Sequence, residues 1–185
     1  MNNREHFIEK LKNTKREGIE NVISELDGLG LFAAPTSSRF HLYCEGGLVG
    51  HSMNVCNVAL DVREVMIGRN PSLADRLSID SIIIAALLHD TCKADIYKPA
   101  IKKQKNKLSI WVHVQGYDVE YSNFPLGHGA KSVIVLLRAG LKLTDDEIMA
   151  IRWHRYGSTV LVSRYKGELP GSKSSLPSAL TPPGC

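Results

Sequence analysis

The sequence of 185 residues has few aromatic side chains, few cysteines and no long apolar run. No stretch approaches the roughly 20 apolar residues that a membrane-spanning helix needs. The segment Met1–His6 has no apolar core, so we expect no signal peptide. The four cysteines have spacings that fit neither a zinc knuckle nor a disulfide framework. A reducing, cytoplasmic setting is therefore the expected location.

The chain also has little net charge. Lysine and arginine number 23 and aspartate and glutamate number 19, which gives a net charge of +4. This excess permits an anionic small substrate but does not by itself indicate nucleic-acid binding. Apolar residues make up 43% of the chain, which is typical of a globular protein. We expect one domain over residues 1–160 and a flexible or truncated tail over 161–185, where serine, proline and glycine predominate.

Most of the chain has helical periodicity. The predicted helices cover residues 3–27, 48–67, about 80–88, 126–139 and 145–155. The apolar stripe of the second helix consists of Leu48, Val55, Ala59, Val62 and Met66. Ser78 or Asp80 is suited to cap the third helix, which is apolar on all sides and is expected at the centre of the domain. Thr144 to Glu147 form a capping-box signature for the last helix.

Residues 98–122 have a different pattern, in which apolar and polar residues alternate on either side of a lysine-rich stretch. This alternation predicts a β-hairpin. The fold class is therefore all-α, a helical bundle with a small inserted β-hairpin at about residues 98–122. The hairpin lysines are interpreted as a solvated rim, and steering of a phosphate is the alternative.

Four histidines occupy helix ends or inner faces: His51, His89, His128 and His154. Asp90 directly follows His89, and a carboxylate buried at the end of an apolar helix needs a cation. A carboxylate beside imidazoles suits Mn, Fe, Zn or Ni, and suits Mg less well. The alternative is that Asp90 forms an ion pair with Lys93 or an arginine while the histidines merely pack.

Four segments together resemble the HD-domain metal-dependent phosphohydrolases. They are GGLVGHS at 46–52, HDTCK at 89–93, PLGHG at 125–129 and RWH at 152–154. The resemblance covers roughly residues 20–160 and implies a helical bundle that binds one or two divalent metal ions, whether Mn, Fe, Ni, Zn or Mg. It implies that His51, His89 and Asp90 hold the first ion, and that Asp90 bridges to a second ion held by His128 and His154.

The same resemblance implies roles for residues around the metal ions. Lys93 would face the substrate phosphate and act with Asp90 in catalysis. His41, Ser52 and Arg152 would contact substrate. The implied reaction is hydrolysis of a phosphoester by metal-activated water. The partner would be an anionic phosphorylated small molecule, such as a nucleotide, or a nucleic-acid end, and no membrane is involved.

The sequence also departs from the family pattern. HD proteins generally place a further aspartate late in the chain, but here no aspartate follows Asp146. Ala130 stands where the subgroup commonly has glutamate. These departures leave open a degenerate HD domain that binds a nucleotide or a protein without turnover. A di-iron oxygenase and a helical protein with packed histidines are further alternatives.

Overall fold

The computed structural model describes residues 2–38, 42–106, 108–121 and 124–154. The elements in these ranges are α1 (Asn3–Asn13), α2 (Ile19–Gly28), α3 (Gly47–Arg69), α4 (Ile79–Leu88), β1 (Tyr97–Lys105), β2 (Trp111–Val119), α5 (His128–Arg138) and α6 (Asp145–Trp153). The protein is therefore rich in helix and carries a small antiparallel hairpin, as predicted. The tail predicted over 161–185 lies outside the described residues.

The N-terminal region differs from the prediction of one helix over 3–27, because α1 ends at Asn13 and α2 begins at Ile19. Lys15 and Gly18 between them have φ angles of 50° and 91°, in the left-handed region. Gly18 also lies so close to the carbonyl of Gly140 that a side chain would overlap it. Close packing against the α5–α6 connection therefore requires a break where the apolar pattern alone predicts a continuous helix.

Helix α4 is the central element of the core. The side chain of Ser78 accepts a hydrogen bond from the amide of Ser81 and caps its first turn, as predicted. Ile84 and Leu88 are fully buried, and Leu87 is 1% exposed. Side chains from α1, α3, α5 and α6 belong to the same apolar cluster. The apolar composition of the second half of α4 is thus explained by this burial, whereas Ile79 in its first turn is 47% exposed.

The apolar stripe of α3 is buried only near the start of the helix. Leu48 is 1% exposed, whereas Val62 and Met66 are 50% and 42% exposed. The second half of α3 therefore extends beyond the core. Helical spacing identifies the face but cannot show where along a helix the neighbouring elements end.

The capping box of α6 is confirmed, and it also joins α6 to the N-terminal region. Thr144 accepts from the amide of Glu147, and Glu147 accepts from the amide of Thr144. The Glu147 carboxylate, 1% exposed, receives two hydrogen bonds of 2.7 and 2.9 Å from the guanidinium of Arg16. Burial alone would raise the pKa of Glu147, but the bonds from Arg16, Thr144 and Ser81 hold this pKa below its ordinary value.

The hairpin pairs β1 with β2 antiparallel, from Tyr97 opposite Val119 to Lys105 opposite Trp111. Lys103 and Lys105 are exposed, as expected of a solvated rim, and Lys102 forms an ion pair with Asp118 across the strands. Lys107 lies outside the described residues. In the part of the chain described, no helix combines the length and apolar character that a membrane crossing requires.

Candidate metal centre

Histidine side chains from three helices meet at Asp90. His51 lies in the second turn of α3, His89 is the residue after α4, and His154 is the residue after α6. Asp90 Oδ2 lies 3.2 Å from His89 Nε2 and 3.7 Å from His51 Nε2, and Asp90 Oδ1 lies 3.4 Å from His154 Nε2. The two nitrogens of His51 and His89 are themselves 3.3 Å apart. The structure thus brings three of the five predicted metal ligands, all of them histidines, around the carboxylate of a fourth, Asp90.

Gly46 and Gly47, at the start of the segment that contains His51, determine where α3 begins. Gly46 has a φ angle of 71°, which allows the chain to turn sharply into the helix. Gly47 packs against the carbonyl of Leu42 so closely that a side chain at this position would overlap it. The Gly-Gly pair therefore sets the entry of α3 and, with it, the direction of His51.

The rings of His89 and His154 are oriented by the same kind of hydrogen bond. Each is the C-cap residue of its helix, and its Nδ1 lies 2.8 Å from the carbonyl oxygen three residues earlier, that of Ala86 or Ile151. A carbonyl can only accept, so Nδ1 carries the proton in both rings. When these rings are neutral, each Nε2 therefore carries the lone pair and lies toward Asp90. This is the arrangement that metal-ligating histidines usually have, with the other ring nitrogen donating to the backbone.

Neighbouring residues in a helix point about 100° apart, so the side chains of His89 and Asp90 would diverge at their bases if both lay within α4. The helix ends at Leu88, and Asp90 has φ −109° and ψ 20°, outside the helical region. The change of backbone direction at Asp90 lets the two adjacent side chains approach each other.

Asp90 is an ionised carboxylate in a buried position, with its side chain 4% exposed. Burial by itself would raise the pKa of Asp90, but His154, His89 and Lys93 hold this pKa well below its usual range. Burial alone would lower the pKa of His154, but Asp90 and the Ile151 carbonyl raise it above its ordinary value. The centre therefore carries a fixed negative charge among nitrogen donors.

The donor set fits a divalent cation. Three ring nitrogens converge with the carboxylate oxygens of Asp90, beside which the Lys93 ammonium supplies one positive charge. Asp90 Oδ1 is buried and forms no hydrogen bond of good geometry within the described ranges, although His154 Nε2 lies 3.4 Å from it. A mixed set of nitrogen and oxygen ligands is the kind that Zn, Fe, Mn and Ni accept. His51, His89 and Asp90 have ligand atoms close enough together to hold one ion.

A second group of potential ligands shares Asp90. One ligand atom each from Asp90, Cys92 and His128 lies within 4.8 Å of the others, and Cys92 Sγ is 3.4 Å from His128 Nδ1. Burial raises the pKa of the Cys92 thiol to about 11, which leaves it protonated in the absence of a metal. His128, the fifth predicted ligand, therefore lies on the Cys92 side of Asp90.

Contacts from α5 hold the turn Thr91–Lys93 that carries Cys92. The backbone amide of Cys92 donates to Ser132 Oγ over 3.1 Å. Just after this turn, Lys131 Nζ donates to both carboxylate oxygens of Asp95, at 2.7 and 2.9 Å. The buried start of α5 thus fixes the segment after Asp90, and sequence reasoning did not single out these supporting residues.

Lys93 lies at the centre, where its Nζ is 2.8 Å from Asp90 Oδ2. This is the ion pair that the sequence left open as an alternative. Ser52 is buried on α3 beside His51. The guanidinium of Arg152 lies 4.4 Å from the centre of the Trp153 ring. His41, the remaining predicted substrate contact, lies outside the described residues.

Cys92 is the potential ligand that sequence reasoning missed. It belongs to the HDTCK segment, but no spacing rule pairs a single cysteine with a histidine 36 positions later. The available signal was a cysteine two residues after a proposed metal-ligating aspartate.

One curated protein matches the chain over 149 residues with 35% identity: the dihydroneopterin 2′,3′-cyclic phosphate phosphodiesterase of Methanocaldococcus jannaschii. The match covers 80% of this chain and 51% of that protein, so the chain spans about half the length of the relative. No protein-family model and no solved structure matches the chain. The name of that relative describes hydrolysis of a cyclic phosphodiester. The His/Asp cluster of this chain offers ligand atoms that could hold a metal ion.

Proposed function

We propose that the protein is an HD-type, divalent-metal-dependent phosphohydrolase that cleaves a phosphodiester. The observation that carries this proposal is the convergence of the His51, His89 and His154 ring nitrogens on the buried carboxylate of Asp90. His51, His89 and Asp90 would hold a first ion. Asp90 would bridge to a second one, which His154 and His128 would also bind.

A divalent cation bound there would lower the pKa of a coordinated water toward about 7 and neutralise charge on the phosphate. The protein's own contribution is to fix the donors before substrate arrives. The bonds from the His89 and His154 rings to Ala86 and Ile151 lock both tautomers. Burial of Asp90 and His89 limits access of bulk water, which strengthens every electrostatic interaction in the centre.

Lys93 has a role at the open side of this centre. Its side chain is 18% exposed, more than that of Asp90, and its Nζ contacts Asp90 Oδ2. A positive charge at this position would attract the phosphate and stabilise charge that develops on its oxygens during hydrolysis. We therefore assign Lys93 to substrate binding and to stabilisation of the transition state.

The substrate class that we propose is a small phosphodiester, with a cyclic phosphate of a nucleotide-like molecule as the first to test. The supporting observation is the name of the archaeal relative, which describes hydrolysis of a 2′,3′-cyclic phosphate. The mild positive charge of the chain is compatible with an anionic small molecule.

The test uses the full chain, freed of metal with a chelator and reloaded with Mn²⁺, Fe²⁺, Zn²⁺ or Mg²⁺. We expect hydrolysis of a 2′,3′-cyclic nucleotide in at least one metal-loaded form and none in the metal-free form. His51→Ala and Asp90→Asn should abolish it. His6→Ala, at an exposed histidine of α1, is the matched control and should retain it.

Metal binding without hydrolysis of cyclic or linear phosphodiesters would contradict the enzyme and favour a domain that binds a ligand without turnover. Failure to bind any of the four metals would contradict the metal centre itself.

A further inference from the structure

Cys92 is placed as a ligand rather than as an ordinary core residue. It is 2% exposed, yet its sulfur contacts the ring of His128 at 3.4 Å instead of being enclosed by apolar groups alone. The hydrogen bond from its amide to the buried Ser132 fixes the backbone at this position. The sulfur is therefore held on the side of Asp90 that faces α5.

The spacing of the three donors suits one ion. Ligand atoms of Asp90, Cys92 and His128 all lie within 4.8 Å of one another. Zinc bonds to nitrogen and sulfur of about 2.0–2.3 Å in a tetrahedral site separate the ligand atoms by roughly 3.3–3.8 Å. Small movements of side chains would therefore close the three donors around a cation.

The orphaned oxygen of Asp90 is a second and independent observation. Asp90 Oδ2 already contacts His51, His89 and Lys93. Asp90 Oδ1 is buried and forms no hydrogen bond of good geometry with any described residue; His154 Nε2, at 3.4 Å, is the ring nitrogen that faces it. A hydrogen bond between Cys92 and His128 would explain their contact, but it would leave this oxygen unsatisfied. A cation shared with Oδ1 accounts for both.

We propose that Cys92 binds the second cation of the centre as a thiolate, together with Asp90 and His128. The proposal rests on the proposed function in taking Asp90 as a metal ligand. On binding, a metal–sulfur bond replaces the S–H bond, and the proton leaves to solvent. A thiolate ligand makes this position selective for Zn²⁺, Fe²⁺ or Co²⁺ over Mg²⁺, because soft sulfur donors disfavour hard cations.

The experiment loads the metal-free full chain with Co²⁺ and records its absorption. Thiolate-to-cobalt charge transfer gives a near-ultraviolet band that nitrogen and oxygen ligands do not produce, and ligand-field bands in the visible report all bound Co²⁺. We expect the near-ultraviolet band in the wild type, its loss in Cys92→Ser, and its weakening in His128→Ala. Cys92→Ser should also lower the affinity for the second equivalent of Zn²⁺ by about tenfold or more.

Cys56→Ala is the matched control, because Cys56 is the other free, buried cysteine of the described chain. It should keep the band. Circular dichroism of each variant shows whether the fold is retained. If Cys92→Ser fails to fold, His128→Ala decides, since His128 is only partly buried.

The outcomes separate this inference from the proposed function. Visible bands without the near-ultraviolet band, or a band that survives in Cys92→Ser, would overturn the thiolate ligand while leaving the hydrolase intact. A Cys92-dependent band without phosphodiester hydrolysis would support the ligand and contradict the proposed function. Absence of bound Co²⁺ in a folded wild-type chain would overturn both.

Discussion

Gly129 of α5 lies directly against the backbone carbonyl of Arg152 in α6, with no room for a side chain between them. His128 precedes this glycine, and His154 follows shortly after Arg152. The close approach of the two helices therefore holds two of the candidate ligands beside Asp90.

We expect Gly129→Ala to weaken divalent metal binding and to lower the free energy of unfolding, because the added methyl group would push α5 and α6 apart. Overpacking of this kind typically costs about 1–3 kcal/mol. Urea unfolding and Zn²⁺ titration measure the two effects. Gly127→Ala is the control, since a side chain there meets nothing within 4 Å. Equal behaviour of the two variants would show that the contact does not position the centre.

Asp90→Asn removes the negative charge on which the centre depends while keeping the shape of the side chain. We expect the affinity for Mn²⁺ or Zn²⁺ to fall by more than about 100-fold, beyond the 10- to 100-fold typical of residues that only support a ligand. Isothermal titration calorimetry measures the change. An affinity within tenfold of the wild type would exclude Asp90 as a metal ligand.

Lys93→Met separates binding of substrate from binding of metal. The ammonium group contacts Asp90 Oδ2, the oxygen that also faces His51 and His89, so its removal should leave the affinity for the first metal ion unchanged or higher. The loss of a positive charge beside the phosphate should lower kcat by about 10²–10³. Steady-state kinetics at saturating metal tests this. A large loss of metal affinity with normal kcat would mean that Lys93 only supports the ligands.

Glu147→Gln tests the buried link between α6 and the N-terminal region. It replaces a charged acceptor of two bonds from Arg16 and should cost about 1.5–3 kcal/mol of unfolding free energy. Glu17→Gln, in an ion pair with Lys142 that is more than 70% exposed on both sides, should cost less than about 1 kcal/mol. Chemical unfolding of both variants at neutral pH gives the comparison, and similar costs would contradict a special role for the buried pair.

The carboxylate of Glu147 also makes the free energy of unfolding depend on pH in the acidic range. The pKa of Glu147 in the folded protein lies below its ordinary value of 4.5. Its contribution is therefore complete above pH 4.5 and is lost as the pH falls through the lower, folded-state pKa. Melting temperatures measured across this acidic range should fall less steeply in Glu147→Gln than in the wild type. Parallel curves would show that the ion pair is not linked to folding.

Local signals in the sequence predicted most of the helices and the hairpin. The N-caps Ser78 and Thr144 directly precede the helical patterns that they begin, so pattern and cap agree. The break between α1 and α2 was missed because the apolar pattern runs through it, and the approach of Gly18 to Gly140 joins residues more than a hundred positions apart. A contact of that range leaves no periodic trace in the chain.

The candidate centre was predictable as a set of residues but not as an arrangement. His51, His89, Asp90 and His154 could be named from their segments, and the structure brings them together. The pairing of Cys92 with His128 could not be foreseen, because it depends on how the start of α5 packs on the turn after Asp90.

The C-cap positions of His89 and His154 also restrict how this protein can change. One residue inserted into α4 would turn His89 by about 100° and displace it by about 1.5 Å along the axis. The same holds for His154 at the end of α6. Insertions and deletions are therefore expected to be tolerated at the tip of the hairpin but not within these two helices. The number of residues in each helix determines where its terminal histidine lies and in which direction the ring points.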